Sequence, residues 1–144
     1  MRVEVAPAQP QDRRAVAHLV RAELGYASLD EERLLGRIAR MDADSAYSVH
    51  VAKLDGRIVG FVACQRGIAL ERDGDTLRIL ALAVDRASQC KGVGSALLAE
   101  AEKRAASFSA SAVVLSSGAQ RTAAHEFYQK RGYEKRGFSF TKRL

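Results

Sequence analysis

The apolar run Leu77-Arg78-Ile79-Leu80-Ala81-Leu82-Ala83-Val84 leads through Asp85–Ser88 into Gln89-Cys90-Lys91-Gly92-Val93-Gly94, and then into Ser95-Ala96-Leu97-Leu98-Ala99-Glu100-Ala101-Glu102-Lys103. A buried strand, a glycine-rich bend and a helix in that order leave few folds open. At such a junction successive backbone N–H groups point into one concavity, where the positive end of the helix dipole adds to their pull on an anion. Phosphate is the natural ligand. Glycines suit the bend because side chains block close approach and because such turns often demand a positive φ. A tight turn with no ligand is the plainer use of the same residues, so the neighbouring segments have to decide.

The chain has 144 residues, 47% of them hydrophobic, which suffices for one domain with its own core and is short for two. A single domain over residues 1–144 is therefore expected. The formal net charge of +6 favours anionic partners in general, but the Lys and Arg residues are scattered and no aromatic residues alternate with a basic run. Such a charge fits nucleic acid or a phosphorylated cofactor without choosing between them, and a merely soluble basic surface accounts for it more simply. A nucleic-acid-binding domain is kept only as a distant third reading. Cys64 and Cys90 suggest neither a disulfide framework nor a metal site, and a reducing cytoplasm is the expected location. Residues 1–10 lack the apolar core of a signal peptide, and no apolar run approaches the ~20 residues of a membrane span.

Read in order, Arg2–Val5 alternates as a short strand before Pro7 and Pro10. Asp12 is a plausible N-cap for a helix carrying Val16, Leu19, Val20 and Leu24, with Gly25 at its end. A second helix is expected from Leu29 to Met41, with Tyr26, Ser28 and Asp30 in the connection as turn residues or substrate contacts. Tyr47–Leu54 and Arg57–Cys64, joined by Asp55-Gly56, form a hairpin, and Thr76–Val84 is the third strand of an antiparallel meander. The helix after the bend carries the chain to Ser111–Ser116, a strand that such a crossover places parallel to its predecessor. Arg121–Arg131 is again helical, with Gly132 at its end, and Tyr133–Arg143 is expected to add one or two terminal strands. The fold class is α/β of the α+β kind: a mixed, mostly antiparallel sheet of six to seven strands flanked by about four helices.

A P-loop needs Lys and then Ser or Thr directly after its final glycine, whereas Gly94 is followed by Ser95-Ala96. A dinucleotide fingerprint needs a third glycine where Leu97 stands and an acidic end to the next strand, which here reads Leu115-Ser116-Ser117. Gln89, Gly92 and Gly94, preceded by the strand ending at Asp85, instead match the pyrophosphate signature of the GNAT-type N-acetyltransferase superfamily. The later stretch Arg121–Tyr133, with Ala124, Phe127-Tyr128 and Gly132-Tyr133, is similar to that family's second signature, and it lies about 30 residues on, as a helix and strand crossover requires. The resemblance spans the chain from Arg2 to its end.

The resemblance implies acetyl-CoA as co-substrate, with its pyrophosphate held by the amides of Gln89, Cys90, Lys91, Gly92, Val93 and Gly94 and by Ser95 at the helix start. Leu82, Ala83 and Val84 would offer backbone to the pantetheine arm, the Leu82 N–H polarising the thioester carbonyl. Arg121 and His125, one helical turn apart, would line the cofactor side. Tyr128 would be the acid that protonates the departing thiolate, with Phe127 as packing. His125 and Tyr128 have equally simple uses as packed side chains. No general base is visible: Glu23, Glu71, Asp73 and Asp75 are explained by solvation, and Cys90 lies in the phosphate bend, away from any acyl transfer. The implied reaction is direct acetyl transfer to a primary amine of a small molecule or peptide, and the amine acceptor itself carries no signature. A catalytically inactive acyl-CoA-binding regulatory module is the alternative. Homodimers formed through the terminal strands are common in the family.

Overall fold

The computed structural model describes residues 2–144, which divide into two compact units, one up to Val114 and one from Leu115 to Leu144. The first holds β1 (Val3–Pro7), α1 (Arg13–Glu23), α2 (Glu31–Asp42), β2 (Tyr47–Leu54), β3 (Arg57–Gly67), β4 (Thr76–Val84), α3 (Val93–Ser107) and the start of β5 (Ala112–Leu115). The second holds α4 (Thr122–Lys130). The five strands form one mixed sheet in the order β1-β2-β3-β4-β5, with β1 to β4 antiparallel in succession.

Local chemistry accounts for these elements. Asp55 and Gly56 turn the β2–β3 hairpin with φ of 50° and 79°, the paired left-handed geometry that matches the twist of antiparallel strands. Asp30 caps α2 by accepting the Arg33 N–H at 2.9 Å. Asp12 precedes α1 as expected but caps an earlier turn: its carboxylate accepts the Gln9 N–H at 2.8 Å at the start of a 3-10 turn over Pro10–Asp12.

Apart from one irregularity between β2 and β3 and one between β3 and β4, the strands alternate between two buried faces. Val49, Val51, Phe61, Ala63 and Ala83 pack with Val16, Leu19, Leu34 and Ile38 of α1 and α2. The opposite face carries Val62, Cys64, Leu77 and Ile79, all buried, and there α3 seats Val93, Leu97 and Leu98. Gly60 lets the first turn of α3 lie against the sheet. A Cβ at Gly60 would stand 3.0 Å from the Ala83 carbonyl oxygen, 3.0 Å from Leu97 Cδ1 and 3.1 Å from Val93 Cγ1.

The terminal strands expected from Tyr133 onward do not form, so among the described residues the sheet has five strands and not six or seven. Alternation makes a strand only when a ladder partner satisfies the backbone. Gly137, at φ 63°, breaks the extended run, and Phe138 and Phe140 are 90% and 94% exposed.

Candidate active site

The register of β4 against β3 slips once. Ala81 faces Ala63 and Ile79 faces Cys64, which leaves Leu80 as an extra residue in β4. Beyond this bulge the Asp85 N–H donates to the Val59 carbonyl at 2.7 Å. Because backbone groups alternate sides along an antiparallel strand, Leu82 and Val84 turn their N–H and C=O groups away from β3, while Ala83 faces it. The Val84 carbonyl accepts instead from the Gln89 side-chain amide at 3.2 Å, a tie that draws the bend back onto the strand end.

The bend is built by two left-handed residues. After a 3-10 turn over Arg86–Ser88, Cys90 takes φ 64° and Gly92 takes φ 82° as the N-cap of α3. A Cβ at Gly92 would meet nothing within 4 Å, so backbone conformation, and not crowding, is what demands glycine there. Open space lies in front of the bend, where Gln89, Cys90, Lys91 and Gly92 are exposed. The N-cap, Gly92, has no side chain to cap α3, and no acidic residue sits in the first turn of this 15-residue helix to offset the positive end of its dipole. These residues fit a pyrophosphate. The six amides are not equivalent, however: the Gln89 N–H already leans on the Arg86 carbonyl at 3.4 Å. Val93 contributes backbone only, since its side chain is in the core.

In the second unit Arg121 is exposed at the N-cap of α4. His125 places Nε2 at 2.8 Å from the Gly118 carbonyl. A carbonyl only accepts, so Nε2 carries a proton and donates it to Gly118. Tyr128 sits edge-on to Phe127 and to Tyr133, with ring centroids 5.2 Å and 5.7 Å away. Burial pushes its phenol above the ordinary value, against a smaller lowering by the Arg121 guanidinium. The Phe127 ring is covered by the Arg131 guanidinium at 3.9 Å, which gives it a packing role.

A family model described as "Acetyltransferase (GNAT) family" matches residues 13–133, through both units. The chain belongs to this family. Among curated relatives of this GNAT chain, the aminoalkylphosphonate N-acetyltransferase of Salmonella typhimurium is 30% identical over 141 residues, 98% of this chain and 91% of that protein. Human N-acetylaspartate synthetase is 38% identical over 89 residues, 62% of this chain, and the matched region is 28% of that protein's length. Among solved structures, that of a transcriptional regulator from Bacillus halodurans C-125 superposes with a TM-score of 0.91 at 20% identity, covering 99% of this chain and all of that one. The strand, bulge, bend and helix of this GNAT chain thus lie on the expected fold. Sequence reasoning gave no weight to Arg78, although a lone arginine inside an apolar strand was there to be noticed. Among the described residues no cluster of ligands suited to a metal ion occurs, and no helix is long and apolar enough to cross a membrane.

Proposed function

We propose that the chain is a single-domain, acetyl-CoA-dependent N-acetyltransferase that acylates the primary amine of a small molecule. The observation that carries this reading is the run from β4 through the left-handed Gly92 into the N-terminus of α3, whose first turn holds no acidic residue. Membership of the GNAT family supports acetyl-CoA as the donor, and the two curated relatives are named for acetylating aminoalkylphosphonates and for making N-acetylaspartate.

In this reading the amides from Cys90 to Gly94, with Ser95, bind the pyrophosphate, and Lys91 adds a screened charge. Leu82 and Val84, whose N–H groups are turned away from β3, bind the pantetheine arm, with the Leu82 N–H on the thioester oxygen. Arg121 and His125 contact the cofactor, the His125 ring being oriented by its hydrogen bond to the Gly118 carbonyl. When bound, acetyl-CoA supplies an acyl group already activated as a thioester. The acceptor nitrogen forms the new amide bond as the carbon–sulfur bond breaks. The Tyr128 phenol gives its proton to the departing sulfur, the attacking amine gives up one proton to solvent, and the phenolate takes one proton back from solvent, so protons and charge balance over the turnover. A phenol held above its ordinary pKa stays protonated across the neutral range, as an acid must.

The test is release of CoA from acetyl-CoA in the presence of a panel of amines, with the melting temperature followed as acetyl-CoA is added. Turnover on at least one amine and a rise in melting temperature are expected. A rise without turnover on any amine would instead establish the inactive binding module. The reading also carries a cytoplasmic location and leaves room for a homodimer, which sedimentation at equilibrium checks.

A further inference from the structure

On the face of the sheet that α1 and α2 cover elsewhere, the β3–β4 end is left open. Gln65 pairs with Arg78 and Gly67 with Thr76 in the β3–β4 register, and Tyr47 pairs with Gln65, so these residues share the face of Val49 and Ala63. With the loop that follows β3, Gln65, Gly67, Thr76 and Arg78 line an open cavity of about 500 Å³. Its polar lining includes Gln65, Thr76, Arg78 and Arg72, and Ile68 and Leu70 of the loop, 87% and 100% exposed, supply apolar wall. A carboxylate, Glu71, is also present, but it stands 3.9 Å from the Arg72 guanidinium and offsets that charge. Arg66, next to the cavity on β3, is taken by Asp75 at 2.7 Å. Arg78 has no ion pair or hydrogen bond with any described residue. Its cross-strand neighbour is the neutral Gln65, whose amide is held by the Tyr47 hydroxyl at 3.3 Å.

An exposed arginine in the middle of a strand, lining a cavity and paired with no carboxylate, offers an anion a guanidinium whose backbone anchor is fixed by the sheet. The planar guanidinium offers two parallel N–H groups to the oxygens of a phosphonate or carboxylate, and Thr76 and Gln65 add neutral donors beside it. The same charge repels a polycationic amine. Arg78 and Leu82 pair with Gln65 and Val62, three residues apart on β3, so they stand roughly 10 Å apart along the sheet. An arginine side chain and a short amino acid laid end to end cover such a distance.

We propose that this cavity holds the acidic group of the acceptor, so that the substrate is a small amine bearing a phosphonate or carboxylate a few bonds from its nitrogen. The inference rests on the reading of the chain as an acetyl-CoA-dependent N-acetyltransferase and names the acceptor class for that site.

Steady-state transfer to 2-aminoethylphosphonate, to aspartate and to the neutral ethanolamine tests it, with the acetyl-CoA-induced rise in melting temperature as a separate readout. One or both acidic amines should exceed ethanolamine in kcat/KM by about 10- to 100-fold, the range expected for one charged, bidentate contact. The two acidic arms tell phosphonate from carboxylate. R78Q should abolish the preference chiefly through KM, R78K should restore part of it, and R72Q should weaken it less. Ethanolamine serving as well as the acidic amines, or a preference that survives R78Q, overturns the inference while the enzyme reading stands. No rise in melting temperature and no turnover on any amine overturns both.

Discussion

His50 Nε2 lies 3.2 Å from Glu100 Oε1, which ties the middle of β2 to α3 beneath the sheet. The imidazole is held below its ordinary value by burial above all, against a raising by Glu100, with Arg104 and Lys103 lowering it further. A histidine depressed in the fold is easier to protonate in the unfolded chain. Its contribution is therefore intact above the unfolded value of about 6.5 and is lost as pH falls through the folded value. The melting temperature of the wild type should fall from pH 7 to pH 5, and H50Q should flatten that slope. An identical slope in H50Q would assign the loss to other groups.

Tyr128→Phe keeps the ring and its edge contacts with Phe127 and Tyr133 and removes only the hydroxyl. We expect kcat to fall by about 10²- to 10³-fold, within the usual range for losing a general acid. The acetyl-CoA-induced melting shift should be retained. Because burial raises the phenol's pKa, the wild-type kcat should show no loss of the acid below about pH 10. Equal kcat in both proteins across the pH range would falsify the acid role.

Gly92 separates conformation from space. Alanine there pays for a left-handed φ of 82°, costing about 1–2 kcal/mol of stability, although its methyl meets nothing within 4 Å. Asparagine tolerates that φ far better but projects into the open side of the bend. Urea unfolding should therefore rank the wild type close to G92N and above G92A. The acetyl-CoA melting shift should be weakest in G92N.

Gly60 is a spacing residue between the sheet and the first turn of α3. Its alanine variant must displace the Ala83 carbonyl, Leu97 or Val93, each at 3.0–3.1 Å from the added carbon. Overpacking of this kind costs about 1–3 kcal/mol. Since α3 begins at Val93, the displacement reaches the bend, and G60A should lose affinity for acetyl-CoA as well as stability. Calorimetric titration with acetyl-CoA at a temperature where G60A is fully folded checks the second part.

What the sequence makes legible follows from how local each determinant is. Asp55-Gly56, Asp30 and the alternating strands encode their structure within a few residues, and the hairpin, α2 and β4 fall where that pattern predicts. The bend was legible for the same reason, its signature Gln89, Gly92 and Gly94 being short and set between a strand and a helix. Gly137–Phe140 shows the opposite case: the alternation is present, but a strand also needs a partner, which no local pattern supplies. Arg78 was hidden differently. Its significance depends on the register that sets Gln65, and no acid, across from it. The same holds for Gly60, whose role appears only once α3 is laid against β3.

The two cysteines differ in a way that gives the experimenter a tool. Cys64 is buried, and loss of hydration pushes its thiol up to about 11, so it is both hidden and unreactive at neutral pH. Cys90 is exposed in the bend, and the chain has no third thiol. A maleimide dye therefore reports from one position, inside the stretch assigned to the donor's phosphates. Protection of that thiol by acetyl-CoA, timed in a stopped-flow instrument, turns an unmodified wild-type chain into its own occupancy sensor.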